Sequence, residues 1–417
     1  MKKNTLLLTL VLLLVALTQN SLAQSSSAYK KVYVIQVNDT HGRSTLHHFP
    51  RVYSRIMSLY RQLGRENCVV VHTGDLLSRG SGITAKTRGA ANVAFWTGLT
   101  DDPAKNIDCK VWVPGNGDFY GKGDTPEEKP YKFFPSGKEN AQFLIDAFTK
   151  KGGSVLLANL FDKKDPKKLA FKNAKSDVLL DIAGVKVGFV GLTYVHPNQT
   201  VAKEVNVSYD YDQVLRDTID LIKEKAEIII PVSHIGYVNP ELKENTCQGE
   251  YQLASRNQGF PALLGAHDHK PREGTRIRRT TAANDHELPA NLLYSTVTYG
   301  NTGFGLGDKE SLDGSGNIPG QVIGLLTLYF DTRKNKVATT RYQFVSVPSY
   351  YGTSGRKVAA SYVADQKACE VQLQKWIKAN AKKDYLIKKW GPLTYNDLSN
   401  EWPKRIIPPA PVPTEAP

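Results

Sequence analysis

Five short polar motifs, each closing an apolar run, constrain this chain more than any other feature. They are Asn38-Asp39-Thr40-His41-Gly42, Gly74-Asp75, Gly115-Asn116-Gly117-Asp118, Ser233-His234-Ile235-Gly236 and Gly265-Ala266-His267-Asp268-His269. A short apolar run that stops at Gly, Asp or His reads as a buried strand ending in a turn. Such runs occupy 32–37, 69–72, 111–113, 155–158, 178–182, 185–192 and 228–232, with helical patterns between several of them. In 50–63, Val52, Ile56, Leu59 and Leu63 share one helical face, Pro50 suits the first turn and Gly64 the stop. In 210–226, Tyr211, Val214, Leu215 and Ile222 do the same. Strands alternating with helices define an α/β protein with mainly parallel sheets, while the late runs 292–297, 322–330 and 337–347 read as antiparallel.

The motifs carry the residue types that hold divalent metals. Asp39 and His41 stand two apart just after a strand, and side chains at that spacing in extended chain point the same way. His267 and His269 repeat the spacing. Asp75 can bridge two ions with its two oxygens, Asn116 offers a neutral carbonyl, and His234 an imidazole. In doubly wound folds ligands bind at the carboxyl ends of strands, where all five motifs fall. Mixed carboxylate and imidazole ligation suits Zn, Mn or Fe better than Ca. Alone, each motif is ordinary: Gly-Asp is usually a turn, Asp-x-His a surface loop, and a single His a core residue. The order of all five, each behind an apolar run, is what chance does not supply.

That order resembles the calcineurin-like metallophosphoesterase superfamily. More narrowly, Asn38 to Gly42 and Ser233 to Gly236 resemble the N-terminal domain of the 5′-nucleotidase and UDP-sugar hydrolase family. The resemblance covers about residues 30–350 and implies a four-layer α/β/β/α sandwich with a dimetal site at the edge of two central sheets. Carried over by position, it implies that Asp39, His41 and His269 hold one ion, that Asp75 bridges, and that Asn116, His234 and His267 hold the other. It implies two divalent ions, Zn or Mn, and metal-dependent hydrolysis of a phosphate ester on a phosphorylated small molecule, a nucleotide among the candidates.

The chain departs from the family pattern beside the metal motif. Gly117 stands where the family has a histidine that stabilises the transition state and helps the leaving group, and Tyr120 stands where the nucleotidase branch has an Asp that orients it. A positioned acid contributes roughly 10²–10⁴-fold. Asp118 and Tyr120 are therefore the candidate catalytic residues, with His47, His48, Tyr120 or an Arg from the 272–279 run as replacements for the missing imidazole. Arg272 and Arg276 are candidates for gripping substrate phosphate, against the plainer reading of a solvated loop over 270–290. The competing functional reading is a metal-binding pseudoenzyme or ligand-binding protein on the same scaffold. About 70 residues follow Val347, too few for the family's base-holding second domain, which weakens the expectation of a nucleotide.

The remaining sequence places the domain in a setting. Lys2 and Lys3, the apolar stretch 6–17 and Ser21-Leu22-Ala23 read as a signal peptide over 1–23, with an uncleaved anchor as runner-up. Its removal leaves about 390 residues, room for one large domain or two smaller ones, without an expected membrane span. Secretion to an extracellular or periplasmic space follows. The net charge of +14 favours anionic partners or solubility, but the basic run after His269 lacks interleaved aromatics, so specific nucleic-acid binding is not expected. Secretion permits disulfides, and Cys68–Cys109 with Cys247–Cys369 is the pairing favoured if the strands at 69–72 and 111–113 are neighbours. Asn198 and Asn206 head glycosylation sequons. A Lys-rich helix over 357–382 falls within a helical extension at 351–400, and a Pro-rich tail covers 401–417. His196 and His286 read as ordinary loop histidines, and Phe95 and Trp96 as core.

Overall fold

A computed structural model of the chain describes residues 28–42, 48–77, 82–122, 124, 134–242, 248–278, 296–301, 322–348, 358–388 and 391–398. The leader at 1–23, the tail at 401–417, His47, His286 and Cys247 lie outside them.

Strands β1 (Tyr29–Val37), β2 (Cys68–His72), β3 (Val111–Trp112), β4 (Ser154–Leu156) and β5 (Leu160–Asp162) come first. They are followed by β6 (Ala174–Lys175), β7 (Asp177–Ile182), β8 (Val185–Thr193), β9 (Val205–Val207) and β10 (Ile228–His234). The last are β11 (Ala262–Leu264), β12 (Arg272–Arg278), β13 (Thr296–Asn301), β14 (Val322–Asp331) and β15 (Lys336–Ser346). One sheet has the order β15-β14-β1-β2-β3-β4-β6 and the other β12-β13-β11-β10-β8-β7. β1, β2, β3, β4 and β6 pair in parallel in the first sheet, and β8, β10, β11 and β13 in the second, while β5 and β9 form a separate antiparallel pair. Among the described residues of these two sheets, antiparallel strands stand at the flanks: β14 and β15 in the first, β7 and β12 in the second.

Strand alternation divides the apolar residues among three cores. Val32, Val34, Val69, Val71, Ile228, Ile230 and Val232 face one another between the sheets. Ile35, Val37 and Val70 point the other way, into helices Phe49–Leu63, Ala90–Thr97 and Gly137–Lys150. Val190, Leu192 and Ile229 cover the far side under helices Tyr211–Ile222 and Glu250–Arg256. The result is the four-layer α/β/β/α sandwich. Phe95 and Trp96 are fully buried core. In helix Phe49–Leu63, Val52, Ile56 and Leu59 are buried as their spacing demands, each contributing roughly 1.5–3 kcal/mol.

The helix Ala360–Asn380 packs on Phe49–Leu63 rather than standing apart. Cys369, Leu373 and Ile377 join its core, and Arg61 Nη2 meets Asp365 Oδ2 at 2.7 Å.

Two expectations are corrected. Cys68 and Cys109 do lie at adjacent strands, but both are free thiols. Cys109 Sγ donates to Val70 O and Val111 O at 3.4 and 3.3 Å, so the backbone takes it rather than a sulfur partner. Cys369 is likewise free and buried in the helical core. The stretch after Lys270 is not a loop throughout: residues Arg272–Arg278 form edge strand β12, antiparallel to β13. Gly and charged residues concealed its strand character.

Candidate metal centre

The loops after β1, β2 and β3 continue the ladder beyond the strands themselves. Thr73 N donates to Val37 O at 2.8 Å, Asp39 N to Gly74 O at 2.9 Å, His41 N to Asp75 O at 2.8 Å and Gly42 N to Leu76 O at 2.8 Å. Backbone pairing thus sets Asp39 and His41 beside Asp75. Five of the candidate ligands hold positive φ: Asp39 at 49°, His41 at 48°, Asp75 at 50°, His267 at 82° and His269 at 54°. This left-handed region costs a side-chain-bearing residue of order 1–3 kcal/mol and is least unfavourable for Asn, Asp and His. The turns bring side chains from several strand ends to one point, at an energetic cost the rest of the fold offsets.

The structure brings the acidic and imidazole groups together. Single ligand atoms of Asp39, His41, Asp75 and His269 all lie within 4.8 Å of one another. His269 Nε2 is 3.1 Å from Asp39 Oδ1 and 3.0 Å from His41 Nε2, and His41 Nδ1 is 3.6 Å from Asp75 Oδ2. Beside this group, His234 Nε2 is 3.4 Å from Asp75 Oδ1 and 4.0 Å from Asp39 Oδ1. His267 Nδ1 lies 2.9 Å from Asn116 Oδ1. Ligands of one zinc ion, bound at about 2.0–2.2 Å, stand about 3–3.5 Å apart, a range that holds the separations of 3.0, 3.1 and 3.4 Å.

Two buried atoms test whether a cation fits. His234 Nε2 and Asp39 Oδ1 are sealed from solvent, and neither makes a hydrogen bond of acceptable geometry. His234 Nδ1 lies 2.8 Å from Thr73 O, and since a carbonyl only accepts, Nδ1 carries a hydrogen and Nε2 is the nitrogen that faces the carboxylates. A buried lone pair aimed at two carboxylates is repelled unless a proton or a metal stands between them. The donor set fits a divalent ion. Gly74 makes the arrangement possible: its φ is +94°, and a Cβ there would sit 2.1 Å from His234 Nδ1.

The electrostatics run in opposite directions at the two carboxylates. Burial would raise Asp39, but His269, His234 and His41 around it hold it below the ordinary carboxylate range. Burial dominates at Asp75 and raises it. Burial, followed by the neighbouring charge of His234, pushes His267 down to about 3. At His234 burial opposes the charge, yet Asp75 and Asp39 prevail and raise it.

The residues near Gly117 divide differently. Asn116–Phe119 is a turn of 3₁₀-helix, and Gly117 N donates to Asp75 Oδ1 at 2.7 Å. Asp118 is buried, accepting from Leu77 N at 2.7 Å and Gly115 N at 2.9 Å, so it ties the second motif to the third. Burial, with Asp75 nearby, pushes it up to about 7. Tyr120 follows in extended conformation, half-buried. Gln199 Nε2 donates to Asn116 O at 2.8 Å and closes the other side of the turn.

Of the candidate phosphate grips, Arg272 stacks on Tyr237, its guanidinium carbon 3.8 Å from the ring centre, and meets Asp268 Oδ2 at 3.5 Å. Arg276 donates to Thr340 O and Oγ1 at 2.8 and 3.1 Å, which turns it toward β15. His48 precedes helix Phe49–Leu63. His196 lies in the turn bonded through Gln199, its backbone N donating to Gln199 Oε1 at 2.9 Å.

Motif reading missed several buried polar groups. Gln36 Nε2 donates to Thr73 Oγ1 at 3.1 Å and Gly265 O at 2.9 Å, fastening the first sheet to the last motif. His72 is fully buried, with Nε2 3.1 Å from Thr40 Oγ1. Glu250 accepts from both loops of the second sheet. The signal available for Gln36 and His72 was a polar residue inside an apolar strand.

Residues 32–271 match the family model described as calcineurin-like phosphoesterase, and the chain belongs to that family. It is 23% identical over 285 residues to an apyrase of Aedes albopictus, covering 67% of this chain and 43% of that protein. The chain thus spans under half the length of that curated relative. Among solved structures it is similar to a 5′-nucleotidase precursor from Thermus thermophilus, with 16% identity, TM-score 0.51 and coverage of 85% of this chain and 60% of that one. It is also similar to the calcineurin-like phosphoesterase YfkN from Bacillus subtilis, with 15% identity, TM-score 0.51, 84% of this chain and 99% of that one. These likenesses support the fold.

Proposed function

We propose that the chain is an exported two-metal phosphoesterase that hydrolyses phosphorylated small molecules, nucleotides among them. The observation that carries this is the sealed pair His234 Nε2 and Asp39 Oδ1, facing a gap also lined by Asp75, His41 and His269. Asp39, His41 and His269 would hold one divalent ion, Asn116, His234 and His267 the other, and Asp75 would span both. Zn or Mn suits these ligands. Bound there, two such ions would neutralise phosphate charge and supply an activated water.

The chain's own residues then set what the site does best. The backbone amide of Gly117 fixes Asp75 Oδ1, and residue 117 brings no imidazole to the leaving group. Esters and anhydrides whose leaving groups depart without a proton are therefore the favoured substrates: aryl phosphates and phosphoanhydrides rather than alkyl phosphates. The names of the similar proteins, an apyrase and a 5′-nucleotidase precursor, support a nucleotide. Arg272, held beside the His267 loop through Asp268, is the basic group better placed for substrate phosphate.

Gly117 also favours a second reading, a metal-holding scaffold without turnover. Hydrolysis of an aryl phosphate with added Mn or Zn, set against Asp75→Asn, separates the two. Metal-dependent turnover lost in the variant supports the enzyme; equal rates for both proteins leave the scaffold.

A further inference from the structure

We infer that Glu250 is a positioning residue that sets the affinity of one ion, the one assigned to Asn116, His234 and His267, more than that of the other. The inference rests on the two-metal reading above. Glu250 is fully buried, and its Oε1 accepts from Ser233 Oγ at 2.5 Å, Ile235 N at 3.2 Å and Ala266 N at 3.1 Å. Two of these donors lie on either side of His234 in the chain, and the third immediately precedes His267. One carboxylate oxygen therefore joins the loop after β10 to the loop after β11 and fixes the spacing of two imidazole ligands.

The segment carrying Glu250 is itself docked on the first of those loops. Glu250 N donates to Gly236 O at 2.8 Å and Tyr251 N to Tyr237 O at 3.1 Å. This approach requires Gly249: its φ is +152°, and a Cβ would lie 2.6 Å from Tyr237 O and 2.7 Å from Gly236 O. The ligands of the other ion are held chiefly from the first sheet, although Asp39 Oδ2 also accepts from His267 N at 3.3 Å. Asp39 and His41 take their places from the ladder to Gly74 and Asp75 in the first sheet. Only His269 shares a loop with a Glu250 contact. Removing Glu250 thus loosens two of three ligands at one ion and one of three at the other.

Outer groups that orient ligands typically change metal affinity by 10–100-fold. The test is Mn titration of the chelator-treated full chain, by calorimetry and by the Mn spin-resonance signal, for wild type, Glu250→Gln and Glu250→Leu. The expected result is two ions on wild type. Glu250→Leu, which keeps bulk but no acceptor, should weaken one ion about 10–100-fold and the other by less than threefold. Glu250→Gln, which keeps one acceptor oxygen without charge, should fall between. If Glu250→Leu does not fold, the same split in Glu250→Gln carries the test. Two ions bound with wild-type affinities in a folded Glu250→Gln and Glu250→Leu would overturn the proposal while leaving the two-metal reading standing. Equal weakening of both ions would also overturn it. Fewer than two ions on wild type would remove the two-metal reading itself.

Discussion

His234 and Thr73 join the two sheets at the site: the imidazole Nδ1 donates to the Thr73 carbonyl at 2.8 Å across the gap between β10 and β2. One hydrogen bond fixes the tautomer, aims Nε2 at Asp75 and couples the placement of ligands from separate sheets. Its geometry depends on Gly74, which lies under the ring. The site is therefore a property of how the sheets meet, and its response to substitution should follow the sheet contacts.

Metal removal should lower stability as well as activity. Ions that bind only the folded chain stabilise it by RT ln(1 + [L]/Kd), about 2.7 kcal/mol at a hundredfold excess over Kd. Chelation should lower the thermal midpoint of wild type and leave Asp75→Asn nearly unchanged. Scanning calorimetry with and without chelator checks this.

Gly117→His should restore a leaving-group acid. Gly117 is not among the glycines with positive φ, so the backbone there does not demand glycine. The gain should be largest for alkyl phosphates, roughly 10²-fold or more, and small for aryl phosphates. Comparing kcat/KM for the two substrate types checks it; an equal gain on both would point to a change in binding instead.

Asp118→Ala should destabilise rather than slow chemistry. It leaves the amides of Leu77 and Gly115 without their carboxylate acceptor, at about 1–3 kcal/mol for each buried donor left unsatisfied. Denaturant unfolding of the metal-free protein should show that loss. A fall in kcat at unchanged stability would give Asp118 a direct part in the reaction.

Acid should destabilise the metal-free protein partly through His72. Burial pushes its imidazole down to about 3, against an ordinary value of 6.5. Below pH 6.5 the unfolded chain takes up a proton that the folded chain refuses, so this contribution is complete above that value and is lost as pH falls toward 3. At pH 5 the loss is about 2 kcal/mol. His72→Gln does not titrate, so its deficit relative to wild type should shrink by that amount between pH 7 and pH 5, as read by urea unfolding at both values.

The strands were legible because burial on both faces writes a continuous apolar run, as at 228–232, and the candidate ligands because they follow such runs directly. β12 was not legible, since Arg272, Gly274 and Arg276 carry no apolar alternation and the strand exists by pairing with β13. The cysteines misled because neighbouring strands do not ensure that thiols face each other. Glu250 was invisible for a related reason: it lies sixteen residues from Ala266 and seventeen from Ser233, in a short helix with no motif.

The α/β class, the strand ends and the residue types suited to a metal can be read from the chain alone, because local apolar patterning and ligand chemistry are written in neighbouring residues. Packing in three dimensions settles which polar atoms are sealed together, makes Asp118 and Glu250 ties between loops, and turns Arg276 to β15 while Arg272 stays beside Asp268. Those outcomes depend on two sheets closing on each other, and burial across that gap fixes which charges must be met by a partner.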